Sequence, residues 1–323
     1  MKPMKFSIGF DKRDLPKLHS YWDKIMVSQK WTEGYFTELF EEKWSEYNNL
    51  PSVAFGSWSG GALAAMRYFQ LEGKTVLCPS NTFMATPSII VNSGANIKFV
   101  DCNKNDLCIS FEDLKAKVEQ YHPAAVWVVH IGGHIVFDIK KIAEFCRDRD
   151  IILLEDCAHS HGAHWNGKRP GEWGDAGVYS FYPTKTISTG EGGMLVSKHK
   201  GLVDFAKKFR NYGKPDYKVY GLNARISEFC AAIGVVEMDR LKDIVDFKNE
   251  YARELDKKFS KRVFFPKGMI SGYYKYIVFE KIDNSTGKVY DKPCHKILGQ
   301  NVDLPNTDWI AENHWCVPIY YNR

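Results

Sequence analysis

Lys185 closes the run Ser180-Phe181-Tyr182-Pro183-Thr184-Lys185, just ahead of Gly190-Glu191-Gly192-Gly193. Upstream, the apolar stretch Ile151-Ile152-Leu153-Leu154 ends in Glu155-Asp156. A lysine among small, aromatic and glycine residues, with a carboxylate at the tip of a buried strand, suits pyridoxal 5'-phosphate (PLP) chemistry. The lysine forms a Schiff base with the cofactor. The aspartate keeps a proton on the pyridine nitrogen, so that the ring can draw in electrons. Asp156 at such a strand end is poorly solvated and needs a cationic or donor partner, which a protonated pyridine supplies. The blander readings of Asp156 are a helix cap or a buried ion pair.

Positioning these groups requires alternating strands and helices. Short apolar strands are predicted at 53–55, 76–78, 97–100, 124–129, 151–154, 178–181 and 194–196. Helices are predicted at 60–69 and 85–91, and a stripe of Ile139, Ile142, Ala143 and Cys146 marks another. Leu39, Phe40, Trp44 and Tyr47 place an earlier helix. Fully apolar strands alternating with helices imply an α/β fold whose mostly parallel sheet is covered on both faces. Ligands of such sheets gather at the strand carboxyl ends, where Asp156, Ser180 and the turn of residues 57–61 all fall. From Ser227 a long helix begins, with a break or bend expected before residues 251–259. Residues 273–279 read as a strand of a smaller α+β region. The division expected is a large cofactor-binding domain over 1–235 and a small C-terminal domain over 236–323.

The composition narrows the partners. The 323 residues carry a net charge of +5, spread along the chain without a dense basic block, which argues against nucleic acid. Lys198-His199-Lys200 reads as a solvated loop. Eight cysteines show no C-x-x-C pair, and Cys78, Cys146, Cys157 and Cys230 lie in apolar stretches, which fits a reducing cytoplasm. No apolar run reaches membrane-spanning length, and Met1-Lys2-Pro3-Met4-Lys5 precedes no signal-peptide core. The sequon Asn284-Ser285-Thr286 carries no meaning without secretion.

Further groups have competing readings. Ser57-Trp58-Ser59-Gly60-Gly61 follows a strand and opens a helix, so its N–H groups and hydroxyls suit a phosphate. Alone it is an ordinary turn; with Ser180 at a neighbouring strand end, the phosphate reading prevails. His159, His161 and His164 are zinc-type residues beside Asp156, but their segment shows no helical or strand face. His159 is therefore expected at the cofactor, the other two as ordinary polar residues, and no metal site is expected. Phe83, at a strand end, could lie on a ring or simply in the core. Ser197-x-x-Lys200 lacks the companion motifs of a β-lactamase.

These stretches together resemble the DegT/DnrJ/StrS family of PLP-dependent sugar aminotransferases over nearly the whole chain. The signature carrying the resemblance runs without a gap from Gly174-Asp175-Ala176-Gly177 through Lys185 to Gly193. Supporting matches are Glu155-Asp156-Cys157-Ala158-His159, residues 79–86, Val129-His130 through Asp138, and residues 221–234. The resemblance implies an aspartate aminotransferase-like (fold type I) large domain. Lys185 would be the Schiff-base lysine and proton shuttle, Asp156 the pyridine partner and Phe83 the stacking ring. His159 would stand beside the cofactor. Ser180 with Trp58 and Ser59 would hold the phosphate, although Trp58 replaces a glycine usual in the family. Asn223 would reach the phosphate of the other subunit, which makes a homodimer part of the site. Arg225 is implied for anion binding or an ion pair. Tyr290, Pro293 and His295 resemble a stretch near the sugar. Relatives usually continue for another helix beyond the position of Arg323.

The reaction so implied moves an amino group from glutamate to a nucleotide-linked keto-deoxysugar, a 4-keto-6-deoxyhexose, for cell-surface polysaccharide or secondary-metabolite synthesis. A PLP sugar dehydratase or lyase, a non-catalytic regulator keeping the fold, and a zinc protein are the alternatives. Lysine at 185, not the histidine of the dehydratase branch, favours transamination.

Overall fold

Strand register carries the architecture. The structure, a computed structural model, describes residues 10–321. The signal-peptide reading of residues 1–5 and the position of Arg323 lie outside them. Strands β1 (Ser52–Phe55), β2 (Thr75–Pro79), β3 (Asn96–Val100), β4 (Ala125–Val129) and β5 (Ile152–Asp156) are followed by the short β6 (His164–Trp165), then β7 (Ala176–Ser180) and β8 (Gly193–Val196). Seven of them form one sheet in the order β1-β8-β7-β5-β4-β2-β3. The pairs β3–β2, β2–β4, β4–β5 and β5–β7 are parallel, and β7–β8 and β8–β1 antiparallel. This arrangement brings the carboxyl ends of β2, β4, β5, β7 and β1 to one edge, with the first residue of β8 among them. Phe55, Gly193 and Ser180 lie in one row there, and Val129, Asp156 and Val178 in another.

Alternation within the strands divides the core between two faces. Val53, Phe55, Trp127, Leu154, Val178 and Leu195 pack on one face. That face is covered by helices including α3 (Trp58–Tyr68) and α4 (Ala85–Asn92). On the opposite face, α2 (Tyr35–Asn48) covers Ala54, Tyr179 and Met194, whereas α5 (Phe111–Tyr121) and α6 (Ile139–Arg147) cover Leu77, Val126 and Leu153. Helix α1 (Leu15–Ser28) has no counterpart in the sequence reading. It buries only Leu18 and Ile25, too thin a stripe to stand out. Helix α7 (Lys200–Phe209) returns to the first face.

Helix α8 (Glu228–Asp256) is unbroken, which corrects the break expected before residue 251. Ser227 caps it through its side chain, and no proline interrupts it. The expected domain boundary at 235/236 falls inside this helix. Gly234 lets it approach α2: a Cβ there would lie 2.7 Å from the Phe40 ring. Glu228, in its first turn, accepts from the N–H groups of Gly34, Phe36 and Thr37 at 2.8–3.0 Å. It thereby caps α2, whose own N-cap glycine has no side chain to do so. The C-terminal part holds two short pairs. Strand β9 (Met269–Ile270) joins β6, and β10 (Tyr276–Val278) joins β11 (Trp315–Val317), with α9 (Cys294–Ile297) and α10 (Pro305–Asn313) between the last two strands. Residues 273–275, read as strand in the sequence, are a loop. Among the described residues no helix is long and apolar enough to cross a membrane.

Glu155 is the hub beneath the site. Fully buried, it accepts from Gly171 N at 2.7 Å, Trp173 N at 2.9 Å, Gly174 N, and His130 Nε2 at 2.9 Å. Glu155→Ala would strand four buried donors, so we expect a loss of about 3–5 kcal/mol, read as a large fall in Tm. An unchanged melt would refute the hub role.

Candidate active site

Asp156 ends β5 and is 5% exposed. Its carboxylate accepts from Thr86 Oγ1 at 2.8 Å and Ala158 N at 3.0 Å. Burial pushes its pKa up; the two hydrogen bonds and the Lys185 charge oppose this only in part. The group lacks a full cationic partner of its own. Lys185 lies in the β7–β8 loop, its backbone N–H donating to Tyr182 O at 2.9 Å. Burial pulls its amine down to about 8, against the pull of Asp156, with the charge of Lys275 adding to the depression.

His159 is buried against aromatic rings. It stacks on Tyr274 at 4.1 Å and lies beside Tyr290 at 5.9 Å. Its Nε2 meets the Tyr290 hydroxyl at 3.4 Å, while its buried Nδ1 has no partner. Burial, reinforced by the charges of Lys185 and Lys275, keeps this imidazole neutral well below its usual range. Phe83 is 64% exposed at the same edge, one turn before Thr86. An aromatic ring so uncovered beside a buried, under-partnered carboxylate has room for a flat ligand.

The phosphate region forms at the start of α3. Ser57 caps the helix by accepting from Gly60 N at 3.3 Å, which leaves the N–H groups of Trp58 and Ser59 for an anion. Ser59 is exposed there, and Ser180 ends the adjoining β7. Gly193 permits the packing: a Cβ would lie 2.6 Å from Trp58 N. The Trp58 side chain itself does not face this region. Its Nε1 donates to Val178 O at 3.0 Å and its ring packs near Trp127 at 5.6 Å, so the indole belongs to the core. What the sequence reading expected of Trp58 falls to its backbone.

The other expected residues are dispersed. Asn223 is exposed on a segment beside the β1–α3 turn of its own chain, where Gly56 N donates to Ala224 O at 2.8 Å. Arg225 donates to Asn223 Oδ1 at 3.1 Å and Asn211 Oδ1 at 2.6 Å, with Glu33 at 3.9 Å. His295 is buried, its Nδ1 paired with Ser80 Oγ at 2.8 Å and its Nε2 3.5 Å from Asp308. These contacts pin α9 to the end of β2. The three histidines go separate ways. His161 sits among Trp44, Tyr179 and Phe181, with burial pulling its pKa to about 3, and His164 pairs within β6. His130, Glu155 and Cys157 bring ligand-type atoms within 4.8 Å. His130 Nδ1 accepts from Val136 N at 3.2 Å, so its Nε2 carries the hydrogen given to Glu155 and has no lone pair for a metal.

Tyr274 was not legible as a site residue. Its loop docks on Gly132 and Gly133 after β4: Gly272 N donates to Gly133 O and Lys275 N to Gly132 O, both at 2.8 Å. Gly133 is irreplaceable in this contact, since its φ is +107° and a Cβ would lie 2.5 Å from Tyr274 N. The Tyr274 hydroxyl pairs with Thr184 Oγ1 at 3.1 Å, clasping the residue before Lys185. Tyr274→Ala should lower kcat about tenfold, whereas Tyr274→Phe, losing one hydrogen bond of about 1 kcal/mol, should cost only a few-fold. Equal, wild-type rates for both would remove Tyr274 from the site.

The chain matches the DegT/DnrJ/EryC1/StrS aminotransferase family over residues 16–269. It belongs to that family. It is 32% identical over 237 residues to GDP-perosamine synthase of Escherichia coli O157:H7, covering 71% of this chain and 64% of that protein. It therefore spans less than two thirds of that relative's length. A UDP-4-amino-4,6-dideoxy-N-acetyl-beta-L-altrosamine transaminase of Campylobacter jejuni (strain 81-176) is 29% identical over 93% of this chain and 82% of its own. The crystal structure of the aminotransferase TlmJ from Streptoalloteichus hindustanus superimposes with a TM-score of 0.86 at 26% identity, over 94% of this chain and 90% of that one.

PLP is the cofactor of this family member, and the residues present fit it. Lys185 would attach it, Asp156 would hold its pyridine proton, and the exposed Phe83 would cover its ring. The buried His159 Nδ1, unpartnered among the described residues, would be free for a polar group of the cofactor, and the start of α3 with Ser59 and Ser180 would hold its phosphate.

Proposed function

We propose that this chain is a PLP-dependent transaminase that takes the amino group of glutamate and places it on a nucleotide-linked 4-keto-6-deoxyhexose. The observation that carries the reading is the placing of Lys185 Nζ 5.0 Å from the Tyr274 ring centre, on the ring that His159 stacks against at 4.1 Å, within electrostatic reach of the buried Asp156. Bound PLP supplies an electron sink. Lys185, its amine pulled down to about 8 by burial, would take a proton from the substrate carbon and deliver it to the cofactor carbon, which requires an amine free of charge. Asp156, oriented by Thr86 and Ala158, holds the pyridine proton throughout. Neutral His159 donates or accepts one hydrogen bond without competing for that proton. The perosamine synthase and altrosamine transaminase likenesses support a deoxyhexose acceptor and, with it, cytoplasmic sugar-nucleotide metabolism.

The active species is taken to be a homodimer in which Asn223 serves the partner's phosphate site, with residues 1–235 carrying the cofactor and 236–323 the small domain. Tyr220, 99% exposed, and the exposed Tyr212, Tyr217 and Leu222 support an interface around Asn223. Light scattering of the purified protein tests that state.

The decisive experiment incubates PLP-loaded protein with glutamate and a panel of GDP-, UDP- and dTDP-linked 4-keto-6-deoxyhexoses, with product mass measured. Nitrogen transfer to one of them is expected. Loss of water from a sugar without nitrogen incorporation would overturn the reading in favour of a dehydratase.

A further inference from the structure

Three lysines converge on the pocket with little negative charge to balance them. Lys185 Nζ lies 5.0 Å from the Tyr274 ring centre and Lys275 Nζ 5.1 Å from the same centre. The two nitrogens are thus within about 10 Å of each other. Lys248, 6% exposed on α8, donates to Tyr273 O at 3.2 Å and supports the same loop from below. Burial, with the charge of Lys275 adding to it, pulls the Lys248 amine down to about 8. Asp156 is the carboxylate that offsets Lys185, and it is already engaged by Thr86 and Ala158. Among the described residues, Lys275 makes no ion pair with any carboxylate and its amine has no hydrogen-bond acceptor. Other half-buried lysines, such as Lys43 with Asp239, do have one.

The position of Lys275 is not incidental. Its backbone N–H is tied to Gly132 O at 2.8 Å, so the residue is fixed at the end of β4 beside the site. Burial is the main cause of the low pKa values of Lys185 and His159, and the Lys275 charge adds to both, in keeping with its place over the Tyr274 ring on which His159 stacks. A charge so placed, near the reacting amine and lacking an acceptor, awaits an anion.

We propose that Lys275 binds an anionic group of the substrate: a carboxylate of the amino donor or the diphosphate of the sugar nucleotide. This rests on the transaminase reading for the identity of the two substrates, but not for the binding itself. Either group falls within reach. The donor's carboxylates lie a few bonds from the nitrogen that replaces Lys185 at the cofactor, and the diphosphate lies across one sugar ring from the acceptor carbonyl.

The test compares PLP-loaded wild type, Lys275→Met and Lys275→Arg by calorimetric titration. The probes are glutarate, a dicarboxylate without an amino group, and the nucleoside diphosphates GDP and UDP. Loss of one charge-assisted hydrogen bond weakens binding about 10- to 100-fold, and Lys275→Arg should restore most of it. Weaker glutarate binding in Lys275→Met assigns the donor carboxylate, weaker diphosphate binding the acceptor, and weakening of both a shared anchor. Wild-type affinity of Lys275→Met for all probes, or no binding of any probe to wild type, overturns the proposal. Steady-state kinetics should show KM for the affected substrate raised by the same factor and changed more than kcat, with KM for the other substrate unaffected, which a merely structural role would not produce. Conversion of the wild-type cofactor by glutamate is followed in parallel by absorbance. Its failure would sink the transaminase reading while leaving the anchor to be judged on binding.

Discussion

Lys185→Met is expected to abolish the long-wavelength absorbance of lysine-bound cofactor and to lower kcat by about 10⁴-fold or more. Burial pulls both Lys185 and Lys248 down to about 8, but it is Lys185 that is offset by the Asp156 charge, whereas Lys248 donates to Tyr273 O. The same substitution should stabilise the cofactor-free protein. An amine lowered to about 8 in the fold, from an ordinary 10.5 when unfolded, disfavours folding in full below pH 8, where both states are protonated; between 8 and 10.5 only the unfolded chain keeps the proton. That penalty shrinks as pH rises from about 8 and is gone above the unfolded value. Lys185→Met should therefore raise Tm most at pH 7 and below, with the gain fading towards pH 10.5. A yellow, active variant would remove Lys185 from its role. A lower Tm at pH 7 would show that the amine is not held against its charge.

Asp156→Asn is expected to lower kcat about 10²–10³-fold while leaving the fold intact. The amide keeps the local pattern: its oxygen still accepts from Ala158 N, and its nitrogen donates to Thr86 Oγ1, whose hydroxyl can turn to accept. What is lost is the negative charge needed opposite a protonated pyridine nitrogen. Because burial raises the Asp156 pKa, removing the charge also relieves a folding cost at neutral pH, and the relief vanishes as pH falls towards the ordinary carboxylate range. Tm at pH 7 should be unchanged or higher. Wild-type turnover in Asp156→Asn would mean that the ring nitrogen needs no partner.

Much of this site follows from strand ends. Asp156, Ser180 and the turn after Phe55 are legible because apolar runs that stop at a polar residue mark where a parallel sheet meets its ligand. Their separation in sequence is closed by pairing rows that place Phe55, Gly193 and Ser180 side by side. Residues whose roles depend on direction were less legible. Trp58 stands in the right turn, yet its side chain points to Val178 and the core. His295 lies in a suggestive stretch, yet both of its nitrogens serve to tie α9 to Ser80 and Asp308. Neither outcome shows in residue type or spacing, since rotation about one backbone position decides which way a side chain goes. Tyr274 and Lys275 were hidden for another reason. Their alternation with Tyr276 and Val278 looks like strand, and only docking on Gly132 and Gly133 turns the first part of it into a wall of the site.

The chain's own order of residues therefore sufficed for the family and the cofactor, and it singles out the lysine proposed to attach that cofactor. Those rest on local chemistry: an amine, a carboxylate and a glycine-rich turn, each at the end of a short apolar run. The long-range packing was needed to show that Lys185 stands within reach of Asp156 and of the Tyr274 ring on which His159 stacks, that burial pulls its amine down to about 8, and that Lys275 lies over the same ring. Burial and electrostatics arise between residues more than a hundred positions apart, as with His159 and Tyr290. No window of sequence contains them, because they belong to the space that the fold encloses.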